Sequence, residues 1–176
     1  MTIWLDPRPS RLAQGDFIAR FGGIYEHSPW VTEALCTNGV TQAHDSPDGL
    51  AASMCQIVEQ AGRERQLVLL RAHPELAGKL AIAGGLTQGS RSEQALARLD
   101  QCSPEEFARF TVLNAAYGTK FGFPFIIAVR GLQRNEILAA FERRIGNNAA
   151  SEFREALDQV HKIAKLRLSA MAVELR

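Results

Sequence analysis

Residues 103–117 read SPEEFARFTVLNAAY, and this stretch sets the fold class. Ser103 precedes a proline at the first helical position, and Glu106 sits three residues after Ser103, the pattern of a reciprocal capping box. From there Phe107, Phe110, Leu113, Asn114 and Tyr117 recur at helical spacing, so one face of the segment is apolar apart from a single amide. The same grammar recurs upstream. Ser28-Pro29 and Ser46-Pro47 each place a capping serine before a helix-starting proline. Leu50, Met54, Ile57 and Val58 mark an apolar face in the segment that Ser46 opens. Downstream, Ile137, Leu138, Phe141 and Ile145 mark another face, which stops at Gly146. The chain is expected to be all-α: one compact multi-helix domain over residues 1–176, ending in a long C-terminal helix.

That last helix is expected from about Ser151 to Leu175. Its seam reads Phe153, Leu157, Val160, Ala164, Arg167, Met171, so Arg167 falls where an apolar residue is due. One segment resists a helical reading. Residues 121–129, FGFPFIIAV, are apolar and partly β-branched, with Gly and Pro at the start, and periodicity leaves an extended segment and a buried helix both open. The Gly84-Gly85 and Asn147-Asn148 pairs read as loops within the domain.

Composition narrows the function classes. The 176 residues carry a net charge of +1 and are 46% hydrophobic and 22% charged, a globular mix with no field to favour nucleic acid or an anionic membrane. Arg143-Arg144 and the Lys162, Lys165, Arg167 group are the denser basic runs, read mostly as exposed helix faces. No apolar run approaches the roughly 20 residues of a membrane span, and the N-terminus lacks the order of a signal peptide. Three separated cysteines, Cys36, Cys55 and Cys102, fit no disulfide framework and point to a reducing, cytoplasmic setting. With no CxxC or HExxH spacing, no metal site is expected.

Three residues stand out as chemical candidates. His73 precedes Pro74, which disfavours helix at the residue before it, so His73 belongs at a junction and can face a cleft. Glu93 follows Ser90 by three, a capping-box spacing. Ser90, Glu93 and Gln94 also gather a hydroxyl, a carboxylate and an amide where free N–H groups receive polar ligands. Arg167 on an apolar seam needs a partner, either an internal carboxylate or the carboxylate of a ligand.

Taken in order, HPELAGK at 73–79, SRSEQ at 90–94, NAAYGTKFGFPFIIAV at 114–129 and IAKLRL at 163–168 resemble the family of 2-oxo-4-hydroxy-4-carboxy-5-ureidoimidazoline (OHCU) decarboxylases. The ordered set covers nearly the whole chain. One departure follows the SEQ motif: the family has an Ala-Gly-Leu-like sequence where this chain reads Ala97-Arg98-Leu99-Asp100, taken as a change on a helix face. The resemblance implies an all-α homodimer and a cofactor-free lyase of urate degradation that converts OHCU to (S)-allantoin. It implies that His73 is the proton donor and that Glu93 and Arg167 are the catalytic carboxylate and guanidinium. It also implies that Pro74, Ser90, Arg91, Ser92, Glu93, Gln94, Phe125, Ile126, Ile127, Ala128 and Val129 bind substrate.

Two competing readings stay open. One keeps the family and changes the substrate to a related ureido acid or purine breakdown product. The other is a helical interaction module, which requires Arg167 to pair internally and His73 to lie exposed with no pocket beside it.

Overall fold

A computed structural model describes residues 3–77 and 87–174. Gly78 and Lys79 of the HPELAGK run, the Gly84-Gly85 pair and Leu175 lie outside the described residues. Among the described residues eight α-helices carry the fold: α1 (Gln14–Phe21), α2 (Trp30–Asn38), α3 (Pro47–Gln60), α4 (Arg63–Arg71), α5 (Gln88–Leu96), α6 (Pro104–Phe121), α7 (Arg134–Arg144) and α8 (Ala149–Ala170). The fold is mostly α, as expected. A two-stranded antiparallel sheet, β1 (Ile3–Leu5) with β2 (Ala172–Glu174), is the addition. No helix is long and apolar enough to cross a membrane, among the described residues.

Local chemistry explains most helix starts. At α6 the Ser103 hydroxyl accepts from the Glu106 N–H while the Glu106 carboxylate accepts from the Ser103 N–H, so two donors that a helix start would orphan are satisfied. The Ser103 N–H, followed by the Arg134 guanidinium, holds the Glu106 carboxyl below its usual range. This cap is therefore at full strength above the ordinary glutamate range and fades only as pH falls through the depressed value. At α3 the Ser46 hydroxyl accepts from Gly49 N at 3.1 Å, as its Ser-Pro pair implies. Ser28 departs from expectation: α2 begins one residue later, with Pro29 in the cap position and no side-chain cap. Ser90 departs too. Thr87 caps α5, its hydroxyl accepting from Ser90 N, so Ser90 is the third residue of the helix and Glu93 is no capping-box partner.

The chain divides into two compact units. The first comprises residues 1–69 and 161–176. Its core gathers Phe17 and Phe21 of α1, Val31 and Leu35 of α2, Leu50, Met54 and Val58 of α3, and Ile163, Ala164 and Leu168 of α8, all buried. The terminal helix stops at Ala170, five residues before its expected end. The chain turns at Met171 and pairs Leu5 with Ala172, Trp4 with Val173 and Ile3 with Glu174. Pairing with β1 gives the last backbone groups partners, which one more frayed turn of helix would not.

The second unit is residues 70–160. Phe110 and Tyr117 of α6, Ile137 and Phe141 of α7, and Phe123 and Phe125 of the connecting segment form its core. Phe125 stacks on Phe141 with centroids 3.9 Å apart, and Tyr117 meets both rings edge-on. Residues 122–129 are neither helix nor paired strand, which rules out the buried helix. Gly122 ends α6 in the left-handed conformation (φ 75°), its N–H closing on Gly118 O, a backbone state that glycine adopts without strain.

The departure at Arg98 is a helix-end change, not a helix-face change. Arg98 lies just past α5 with φ 53° and ψ 34°, in the left-handed region. A glycine carries no Cβ penalty at such a position. Arg98 is exposed, and its carbonyl, which accepts from Arg134, survives substitution. Arg98→Gly is expected to raise stability by up to about 1 kcal/mol in urea unfolding; a loss of stability would refute the strain account.

Candidate active site

His73 lies two residues past the end of α4, where its N–H still reaches back to Leu70 O at 3.2 Å before Pro74 diverts the chain. His73 is only 9% exposed. With Pro74 and Glu75 it lines a cavity of about 720 Å³ in the second unit. Arg71, Asn114, Phe123 and Pro124 line the same cavity. The Arg71 guanidinium donates to Gly122 O at 2.8 Å and so ties the helix that ends before His73 to the turn that opens the FGFPF segment.

Asn114 lines this cavity, a place that sequence reading passed over by treating it as part of a helix face. It is buried, and its amide nitrogen donates to Leu76 O at 2.9 Å. That bond orients the amide and leaves Oδ1 as a buried oxygen with no hydrogen-bond partner among the described residues. A buried acceptor without a donor is costly unless something supplies one. The signal was present in the sequence as the one amide on the Phe107, Phe110, Leu113, Tyr117 stripe.

The SRSEQ segment joins this neighbourhood through Gln94. Its carbonyl accepts from Ala77 N at 3.2 Å and its amide donates to Glu75 O at 3.3 Å. Ala77 holds φ 49°, so the clamp secures a backbone conformation that alanine rarely adopts. Gln94 and Ser90 are buried, Glu93 is half-buried, and Arg91 and Ser92 are exposed.

The 125–129 segment is anchored rather than open. Phe125, Ile126, Ala128 and Val129 are buried and Ile127 is half-buried. Arg144 donates to Ile126 O at 2.8 Å and its guanidinium lies 4.5 Å from the Phe125 ring centroid. Gln159 Oε1 accepts from Ala128 N at 2.9 Å. Arg144 corrects the reading of Arg143-Arg144 as exposed: Arg143 is exposed, but Arg144 is buried against Glu152 at 2.6 Å. Its place one turn after Phe141 on the apolar face of α7 was the clue. Lys120 is also engaged, donating to Ile145 O at 2.6 Å.

Arg167 belongs to the first unit. It has an internal partner: Nη1 donates to Glu26 Oε2 at 2.8 Å and to the carbonyls of Gly23 and Ile24 at 3.2 and 3.3 Å. Glu26 is 1% exposed. Of the two features the interaction-module reading required, the internal pair is present, but His73 is buried on a cavity wall.

Comparison with known proteins places this architecture. Residues 10–169 match the family described as OHCU decarboxylase. A protein of Haloferax volcanii named 2-oxo-4-hydroxy-4-carboxy-5-ureidoimidazoline decarboxylase is 44% identical over 160 residues, 91% of each chain. Among solved structures, one described as (S)-allantoin synthase superposes with a TM-score of 0.73 at 35% identity over 93% of this chain; this chain spans about half (52%) of that longer one. Another, OHCU decarboxylase in the presence of (S)-allantoin, shares the fold with a TM-score of 0.67 at 23% identity, covering 85% of this chain and 94% of that one. From the capped helices to the His73-Pro74 junction, this chain belongs to the OHCU decarboxylase family.

Proposed function

We propose that this chain is a carboxy-lyase that converts OHCU to (S)-allantoin in urate degradation. The observation that carries the reading is His73, held beside Pro74 on the wall of a cavity in a chain of this family. Loss of CO2 breaks a carbon–carbon bond and leaves its electron pair on the ring carbon. The adjacent imidazolone and ureido groups spread that charge, so the substrate supplies its own electron sink. The protein's tasks are to orient the carboxylate, stabilise the developing charge and control the proton.

In this reading His73 moves the proton at one face of the ring. Arg167, whose guanidinium Glu26 orients, acts electrostatically on the leaving carboxylate or the developing oxyanion. Glu93 acts as the catalytic carboxylate, and Ser90 to Gln94, Pro74 and Phe125 to Val129 bind the ureidoimidazoline. Asn114 Oδ1 is well suited to accept a substrate N–H. Residues 1–176 work as one catalytic domain, supported by a family match that spans both units. The working form is a homodimer in the cytoplasm, free of nucleic acid and membrane. The chain-wide resemblance supports the dimer, and the near-neutral charge and three cysteines that form no disulfide support the setting.

Circular dichroism of allantoin tests the activity while urate is oxidised by uricase and opened by hydroxyisourate hydrolase. Rapid growth of the (S)-allantoin signal only when this protein is added is the expected result. Slow racemic product in both samples, with the protein demonstrably folded, would reject it in favour of a related ureido acid.

A further inference from the structure

Cys55, Glu59 and His161, all in the first unit, place one thiol sulfur, one carboxylate oxygen and one ring nitrogen within 4.8 Å of one another. Cys55 and Glu59 are one turn apart on α3 and so share a face, and His161 comes from α8. His161 Nε2 is 2.9 Å from Glu59 Oε1, and its other nitrogen, Nδ1, is 2.8 Å from the Tyr25 hydroxyl. We infer that these three side chains form a binding site for a zinc-class divalent cation, separate from the proposed lyase chemistry.

Three observations carry this. The donor set of thiolate, imidazole and carboxylate suits zinc and not magnesium or calcium, which take oxygen ligands. The spacing is near what a tetrahedral ion requires: bonds of about 2.0–2.3 Å separate neighbouring ligand atoms by about 3.3–3.6 Å, so side-chain rotations of an ångström or so, with the 2.9 Å His161–Glu59 pair opening slightly, complete the site. The third is the outer support. Tyr25 is 2% exposed and meets the His161 ring edge-on, so it fixes the ring plane as ligating histidines require. On binding, Nε2 turns its lone pair to the ion, Nδ1–H donates to the Tyr25 oxygen, and the Cys55 thiol releases its proton to solvent. A fourth position remains for water. The ion ties α3 to the C-terminal half of α8.

The test uses the full chain, freed of metal, with Co2+ as the probe. One equivalent of Co2+ should raise a sulfur-to-cobalt charge-transfer band in the near ultraviolet, and Zn2+ should displace it. Cys55→Ser should lose the band, and Tyr25→Phe should weaken binding roughly tenfold or more. Zn2+ should raise the unfolding temperature of the natural protein but not of His161→Gln, which guards against a Cys55 variant that fails to fold. Absence of the band in the natural protein would overturn the site, and so would an undiminished band in folded Cys55→Ser, which would instead show adventitious binding at Cys36 or Cys102.

Discussion

His73→Asn is expected to abolish stereoselective formation of (S)-allantoin while leaving the chain folded. A positioned proton carrier contributes on the order of 10²–10⁴-fold to rate. OHCU also decays spontaneously, so the variant should fall to slow racemic product rather than to none. The backbone around His73 has independent anchors. Its N–H bonds Leu70 O, Arg71 holds Gly122, and Gln94 clamps residues 75 and 77. Asparagine disturbs none of these, so far-ultraviolet dichroism and unfolding temperature should stay near those of the natural protein. A His73→Asn protein that still makes (S)-allantoin rapidly would sink the assignment.

Glu152→Ala is expected to give the largest loss of stability. Glu152 is 0% exposed, and its carboxylate accepts from Arg144 Nε and Nη2 at 2.9 and 2.6 Å, from Asn147 at 2.7 Å and from the Tyr117 hydroxyl. Burial, then the bond to Glu152, keeps the Tyr117 phenol far above its usual range, so it remains a neutral donor. Removing the carboxylate strands a buried guanidinium, a tyrosine hydroxyl and an asparagine amide together. Breaking such a pair from one side costs about 3–5 kcal/mol, read by urea unfolding. Replacing both partners, as in Arg144→Met with Glu152→Leu, should recover much of that loss, because the stranded charge goes too. A Glu152→Ala protein within about 1 kcal/mol of the natural one would show that water or rearrangement satisfies Arg144.

The same cluster bears on the proposed site. Arg144 holds Ile126 O and lies on Phe125, so it shapes the segment to which the family resemblance assigns substrate binding. Sequence reading placed Arg144 on the surface because charged residues seldom lie fully buried without a partner, and Glu152 is visible as a partner only once α7 and α8 are packed. Asn114 shows the complementary limit. Its place on an apolar stripe was legible, but an unsatisfied Oδ1 emerges only when every neighbouring donor is located.

The helix starts at Ser46 and Ser103, the periodic faces of α3, α6 and α7, and the His73-Pro74 break were determined by sequence alone. Each depends on residues no more than about four positions apart, and such local interactions survive whatever the rest of the chain does. The ordered motifs likewise identified the family before any coordinates. Tertiary structure alone decided the partner of Arg167, which is Glu26, 141 residues upstream. It alone decided the burial of Arg144 on Glu152, the end of α8 in a strand rather than a further helical turn, and the meeting of Cys55 and Glu59 with His161. These pairings join residues whose separation along the chain carries no period. A buried charge, an orphaned backbone group or a ligand atom is satisfied by whatever the packed fold brings within about 3 Å, and only closure of the chain settles what that is.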